Sequence, residues 1–258
     1  VGRVYLPTTS YMEMGEWALP ASASREYSGL VEDLKHWGDK RVGRFLQGGM
    51  WRNFFSKYPE ANWMNKRMLF VSRALNLKRE SPGYEKEDFH KAALHLYKAQ
   101  CNDAYWHGIF GGLYLPHLRT AVYENLIKAE NIISEGDARP VILKLDIDAD
   151  SYDEIVIKTD ELNLFLSPSG GGSLVEFDYR PKAVNLSNTL SRWPEGYHHK
   201  LKSVDEEASG EAAGSIHDIV LVKEKGLINF LKTDYVRRAS LVDHFLKREE
   251  TLAAFCGN

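Results

Sequence analysis

The sequence predicts an α+β fold, helical up to about residue 135 and β-rich from residue 136 to residue 258. Three observations carry this expectation. Apolar side chains recur at helical spacing in the first half, they alternate with a period of two beyond Gly136, and the alternating runs are short and separated by Ser, Pro and Gly clusters. Short strands with frequent turns favour an antiparallel, sandwich-like layer over repeated strand–helix units. With 258 residues and 43% hydrophobic content the chain can bury at least one sizeable core, which excludes a disordered protein. The expected domains are residues 1–135 and 136–258.

The helices come first. Tyr58-Pro59-Glu60 suits a helix start, because proline fits the first turn, and Met64, Met68, Val71 and Leu75 then follow a helical rhythm until Ser81-Pro82-Gly83 breaks it. A second helix from about Lys86 aligns Ala92, Leu96, Ala99 and Asp103, which sets a carboxylate where the stripe calls for a hydrophobe. After Gly111-Gly112 a third long helix carries Leu118, Val122, Leu126, Ala129 and Ile133. Then strands follow: Val141, Leu143, Leu145 and Ile147; Ile155 and Ile157; Leu162, Leu164 and Leu166; and Val175, Phe177 and Tyr179 alternate with other side chains at a period of two. Ser167 to Gly172 is a turn, Lys202 to Ser215 a surface loop, and Ile216, Asp218, Val220 and Val222 a returning strand.

Composition narrows the function. Thirty-three basic and 36 acidic side chains give a net charge of -3, with no electrostatic footprint for nucleic acid or an anionic membrane. No apolar run approaches the roughly 20 residues that span a bilayer. Two distant cysteines, Cys101 and Cys256, suggest neither a disulfide framework nor a secreted protein, so a cytoplasmic setting is expected. The opening Val1-Gly2-Arg3-Val4-Tyr5-Leu6-Pro7 and the closing Cys256-Gly257-Asn258 read as interior sequence of a longer polypeptide.

The most informative stretch runs from Ala99 to Gly112, AQCNDAYWHGIFGG, which gathers amide, carboxylate, imidazole and indole groups. If the helix continues through it, Asp103, Trp106 and His107 share a face. An indole offers an apolar platform for a pyranose ring, and Asn102 and Asp103 can hold hydroxyl pairs. The residues alone leave a second reading open, a polar helix end packed against a neighbouring domain.

The string AQCNDAYWHG resembles the fifth signature region of glycoside hydrolase family 57, and the chain is most similar to its 4-α-glucanotransferases and α-amylases. Leu6 to Trp17 resembles the end of that family's β/α barrel, Trp51 to Phe55 with Lys57 to Glu60 the start of its helical region, and Gly172 to Tyr179 with Ser240 to Leu246 the beginning of its β-sandwich, here cut short. The resemblance implies an α-1,4-glucan or maltooligosaccharide as substrate and assigns Asp103 and Trp106 to the substrate cleft. Asn102 and His107 are expected either to line that cleft or to orient the other two. It also implies a retaining double displacement by two carboxylates. Both belong to an upstream catalytic barrel of the parent chain, so no catalytic residue is assigned here and this chain alone is expected to be inactive.

Other residues read more simply. Trp51 and Arg52 are expected to pack and to pair with a carboxylate, with Asn53 beside them, while Glu13 and Glu16 are expected to be solvated. His90, His95, His198 and His199 lack the spacing of a metal centre, Cys101 reads as a packed thiol, and no metal or cofactor is expected. The rival reading is a non-catalytic carbohydrate-binding or protein-interaction module.

Overall fold

The structure, a computed structural model, describes residues 12–37, 46, 48–107, 111–199 and 226–257. The predicted strand around Ile216 to Val222, the loop before it and the barrel-like residues before Met12 lie outside the described residues. The chain forms two compact units, one of residues 1–59, 107–111 and 192–234, the other of residues 60–106, 112–191 and 235–258. Compactness groups the long helices with the sheet, whereas periodicity separates them.

The first unit holds α1 (Met12–Trp17), α2 (Ala21–Trp37), α3 (Trp51–Lys57) and the short turn Gly196–His199. Met14, Phe54 and Tyr58 are fully buried. Gly196 comes so close to α2 that a Cβ there would lie 2.3 Å from Ser24 Oγ, which leaves glycine as the residue that fits.

The second unit begins with α4 (Pro59–Arg79), followed by α5 (Lys86–Ala99) and α6 (Pro116–Ile133), which pack on one another, and ends with α7 (Leu252–Gly257). The predicted stripes are buried over most of their length, with Met68 and Leu118 only half-buried. Met64, Val71 and Leu75 of α4, Ala92, Leu96 and Ala99 of α5, and Val122, Leu126, Ala129 and Ile133 of α6 are all in the core. Pro116 stands in the first turn of α6, where its missing N–H costs nothing.

Five antiparallel strands follow as a meander, β1 (Val141–Leu145), β2 (Glu154–Lys158), β3 (Leu162–Ser167), β4 (Ser173–Tyr179) and β5 (Val184–Asn185), in the order β1-β2-β3-β4-β5. The strands are where periodicity puts them, but the apolar alternation does not mark the buried face in every strand. In β1 the more buried residues are Val141, Leu143 and Leu145. In β2 to β4, however, the deepest positions are Glu154, Val156, Asn163, Phe165, Glu176 and Asp178, while the alternating Ile, Leu and Phe side chains are half-buried on the other face. Register explains the grouping: Val156 faces Phe165, Phe165 faces Glu176, and Asn163 faces Asp178, so these residues share one face. Trp63 and Arg67 of α4 meet that face on Phe165, with ring centroids 5.9 Å apart and the guanidinium 4.2 Å above the ring. Helix α4 brings an arginine, and the facing strands answer it with carboxylates.

Candidate functional site

The motif stretch belongs in part to each unit. In the second unit α5 stops at Ala99, Gln100 caps it, and Cys101 turns into extended backbone before Asn102–Tyr105 form one tight 3₁₀ turn. The helical face expected to align Asp103, Trp106 and His107 therefore does not form. Asn and Asp compete for backbone hydrogen bonds with their own side chains, which disfavours continuing the helix through Asn102-Asp103. Asp103 is accordingly exposed rather than buried on the α5 stripe.

The turn is held from below. Ala104 and Tyr105 are buried, and Tyr105 Oη donates to the Ala99 carbonyl at 2.6 Å, tying the turn to the end of α5. Burial raises the Tyr105 phenol well above its ordinary value, so the hydroxyl stays protonated as a donor. Asn102 and Asp103 stand in solvent, Trp106 is half-buried with an extended backbone, and its carbonyl accepts from Leu113 N at 2.8 Å. Cys101 is an exposed thiol 3.9 Å from Asp103 Oδ2, not the packed thiol read from the sequence.

His107 belongs to the first unit and is only 3% exposed. Tyr58 Oη donates to Glu195 Oε1 at 2.5 Å and lies 2.6 Å from His107 Nε2. A hydroxyl has one proton to give, so His107 takes the tautomer in which Nε2–H donates to the tyrosine. Lys57 Nζ completes the cluster, donating to Glu195 Oε2 and to the Trp17 carbonyl, each at 3.0 Å. Sequence reasoning missed Tyr58 and Glu195: Tyr58 lies 49 residues from His107, Glu195 comes from a still more distant segment, and neither carries a local signal. Also in this unit, a cleft of about 470 Å³ is lined by Pro20, Asn53, Ser56, Lys57, Trp193 and Pro194. Arg52 is exposed, and Glu16, half-buried rather than solvated, accepts from Ser28 Oγ at 2.5 Å.

A second polar cluster, also missed, lies inside the second unit. Arg67, fully buried, donates from Nε to Glu176 Oε1 at 2.8 Å and from Nη2 to Glu130 Oε2 at 3.1 Å, and stands 3.7 Å from Asp178 Oδ2. Trp63 Nε1 donates to Glu176 Oε2 at 2.6 Å, and Lys158 pairs with Glu130. Burial pushes the Glu130 carboxyl up, but Arg67 and Lys158 outweigh it and hold the group at about 2. Asp178 moves the other way, driven well up by burial and by neighbouring Glu176.

Two of the histidines set aside as metal ligands have hydrogen-bond partners within the chain. His95 Nδ1 lies 2.9 Å from Asn125 Oδ1, and His198 Nδ1 accepts from Glu195 N at 3.2 Å, with burial lowering its pKa. Among the described residues no helix is long and apolar enough to cross a membrane.

Comparison with known proteins gives consistent matches. A family model described as α-amylase/4-α-glucanotransferase, middle domain, matches residues 49–133, and one described as the C-terminal domain of the same family matches residues 146–258. The chain is 47% identical over 253 residues to a protein named α-amylase 1 from Dictyoglomus thermophilum, and 44% identical over 253 residues to a 4-α-glucanotransferase from Thermococcus litoralis. Each match covers 97% of this chain and 35% or 36% of the relative. The crystal structure of 4-α-glucanotransferase from Thermococcus litoralis superimposes with a TM-score of 0.74 at 41% identity, covering 97% of this chain and 36% of that one. The chain thus spans about a third of the length of the relatives it matches.

Proposed function

We propose, from the premise that this chain belongs to glycoside hydrolase family 57 through the middle and C-terminal domains of its α-amylase/4-α-glucanotransferase members, that it supplies substrate-cleft residues and support to an α-1,4-glucan-acting enzyme. Asp103, Trp106 and Asn102 are the proposed sugar contacts. One observation carries this reading: a turn pinned by buried Tyr105 presents a carboxylate and an amide to solvent within four residues of a half-buried indole. Such a set can hold hydroxyl pairs through hydrogen bonds while the ring covers the C–H side of a pyranose.

His107 is better placed as a positioning residue than as a sugar contact. Buried and bonded to Tyr58, it fixes the backbone at the residue after Trp106. In the proposed division of labour residues 1–135 carry the cleft and residues 136–258 support it. Retaining glycoside chemistry needs a nucleophilic carboxylate and an acid/base carboxylate flanking the bond. No residue of this chain is proposed for either role, and both are assigned to an upstream barrel of the same parent protein. Transfer over hydrolysis then depends on an acceptor sugar outcompeting water at the glycosyl-enzyme.

The test uses the full-length protein that carries this chain. Trp106→Ala removes an apolar platform worth on the order of 1 to 3 kcal/mol, and kcat/KM on maltoheptaose is expected to fall about tenfold for each 1.4 kcal/mol lost. A drop of about 3 to 5 kcal/mol in stability with normal kinetics in the folded fraction would instead mark a core tryptophan and reject the reading. In the same assay the 258-residue chain alone should leave maltooligosaccharides unchanged; new products from it would place catalytic carboxylates within this sequence.

A further inference from the structure

The loop joining β1 to β2, residues 146–153, reads DIDADSYD and leads into Glu154. Carboxyl oxygens of Asp146, Asp148 and Glu154 all lie within 4.8 Å of one another. That spacing suits donors around one larger cation, since oxygens on opposite sides of a Ca²⁺ with bonds of about 2.4 Å stand about 4.8 Å apart. Proximity of acidic groups is common at surfaces, so burial decides the matter.

Glu154 is 0% exposed. Its Oε2 accepts from Ile147 N at 2.8 Å, but its Oε1 is buried without a hydrogen-bond partner, and so is Oδ1 of Asp148. A buried carboxylate oxygen with no donor is costly unless a cation or a proton meets it. Both residues belong to the group of three whose carboxyl oxygens approach one another, the third being the exposed Asp146.

The loop is shaped to hold these groups inward. Asp146 accepts from Asp150 N at 3.2 Å and Ser151 N at 3.0 Å, and the side-chain amide of Asn62 on α4 donates to the Asp148 carbonyl at 2.8 Å. Ser151 adopts φ 77°, a left-handed turn, at the sixth position counted from Asp146. Carboxylates at the first, third, fifth and ninth positions with a sharp turn at the sixth match the first part of an EF-hand calcium loop, here set between two strands.

We propose that Asp146, Asp148 and Glu154 bind a single Ca²⁺, which joins the β1–β2 loop to the buried end of β2. Hard oxygen donors without imidazole or thiolate select calcium over transition metals. A site of this kind would be structural, stabilising the sheet without touching substrate.

The experiment strips the full chain with chelator, dialyses it, and titrates CaCl₂ by calorimetry while following Tm. One Ca²⁺ per chain and a Tm that climbs with calcium concentration are expected, because a cation that binds only the folded state stabilises it by mass action. Mg²⁺ should act more weakly, as it demands a smaller, octahedral shell. Glu154→Gln should abolish the heat and the Tm shift, and Asp148→Asn should weaken affinity at least about tenfold. If Glu154→Gln does not fold, Asp148→Asn decides, with Tb³⁺ luminescence as an independent readout of occupancy. Absence of saturable binding by Ca²⁺, Mg²⁺ and Mn²⁺ at millimolar levels would overturn the proposal. So would unchanged affinity in the folded variants.

Discussion

Two polar regions of the second unit have similar residue types and opposite surroundings. Around Arg67, the charged groups of the helices and strands are paired with one another: the guanidinium with Glu176 and Glu130, the Glu130 carboxylate also with Lys158, and the Glu176 carboxylate also with the Trp63 indole. Around Asp103, the carboxylate and the neighbouring Asn102 amide are exposed, held out on a turn whose anchors are an alanine and a tyrosine. Polar residues therefore mean different things in the two places. In the interior they are spent on one another and link α4 and α6 to the sheet; on the turn they face solvent.

The comparison breaks most directly at Arg67. Arg67→Met removes the cation and leaves Glu130, Glu176 and Asp178 buried together, so a loss of about 3 to 5 kcal/mol is expected. Denaturant midpoints at constant m-value measure it, and a loss under about 1 kcal/mol would show that the network is not integral to the fold.

Acid probes the same interior with a somewhat smaller effect. Glu130 sits at about 2 rather than 4.5, so its contribution is complete above the ordinary carboxylate range and disappears as pH falls from about 4.5 towards 2. The amount is on the order of 3 kcal/mol. Asp178 has the opposite sign, since a raised carboxyl stabilises the fold at low pH and ceases to do so as pH rises through its shifted value. Unfolding free energy measured between pH 5 and 2 should fall less steeply in Glu130→Gln than in the parent chain; equal slopes would remove Glu130 from the network.

The smallest stability effect is expected on the turn. Asp103→Asn should change stability by no more than about 0.5 kcal/mol, as at other exposed positions, while lowering kcat/KM in the full-length enzyme. If the unfolding midpoint moves as far as the kinetics, the distinction between a paired interior and an available turn collapses.

Much of this molecule is legible in its sequence. The apolar stripes of α4, α5 and α6 and the alternation in β1 to β4 place the elements, because 3.6-residue and two-residue periods are imposed by local backbone geometry. The AQCNDAYWHG string is legible as chemistry for the same local reason: its groups are neighbours in the chain. Periodicity does not supply which face of β2 to β4 meets the helices. Both faces there offer plausible partners, and the choice rests on Arg67, which on the α4 sequence looks like any solvent-facing cation.

Nor does the sequence show that His107 is bonded to Tyr58 and close to Glu195, or that Glu154 is buried with a carboxyl oxygen close to those of Asp146 and Asp148. The spacing of Asp146, Asp148 and Asp150 is a local signal that a search for histidine spacing passes over, whereas the burial of Glu154 is not local. The sequence by itself determined the elements and the chemical character of the turn, because those depend on residues a few positions apart. Tertiary structure decided which charges are buried and with whom, because a charge is stable in the interior only when a distant segment delivers its partner, and that delivery is a property of the folded chain.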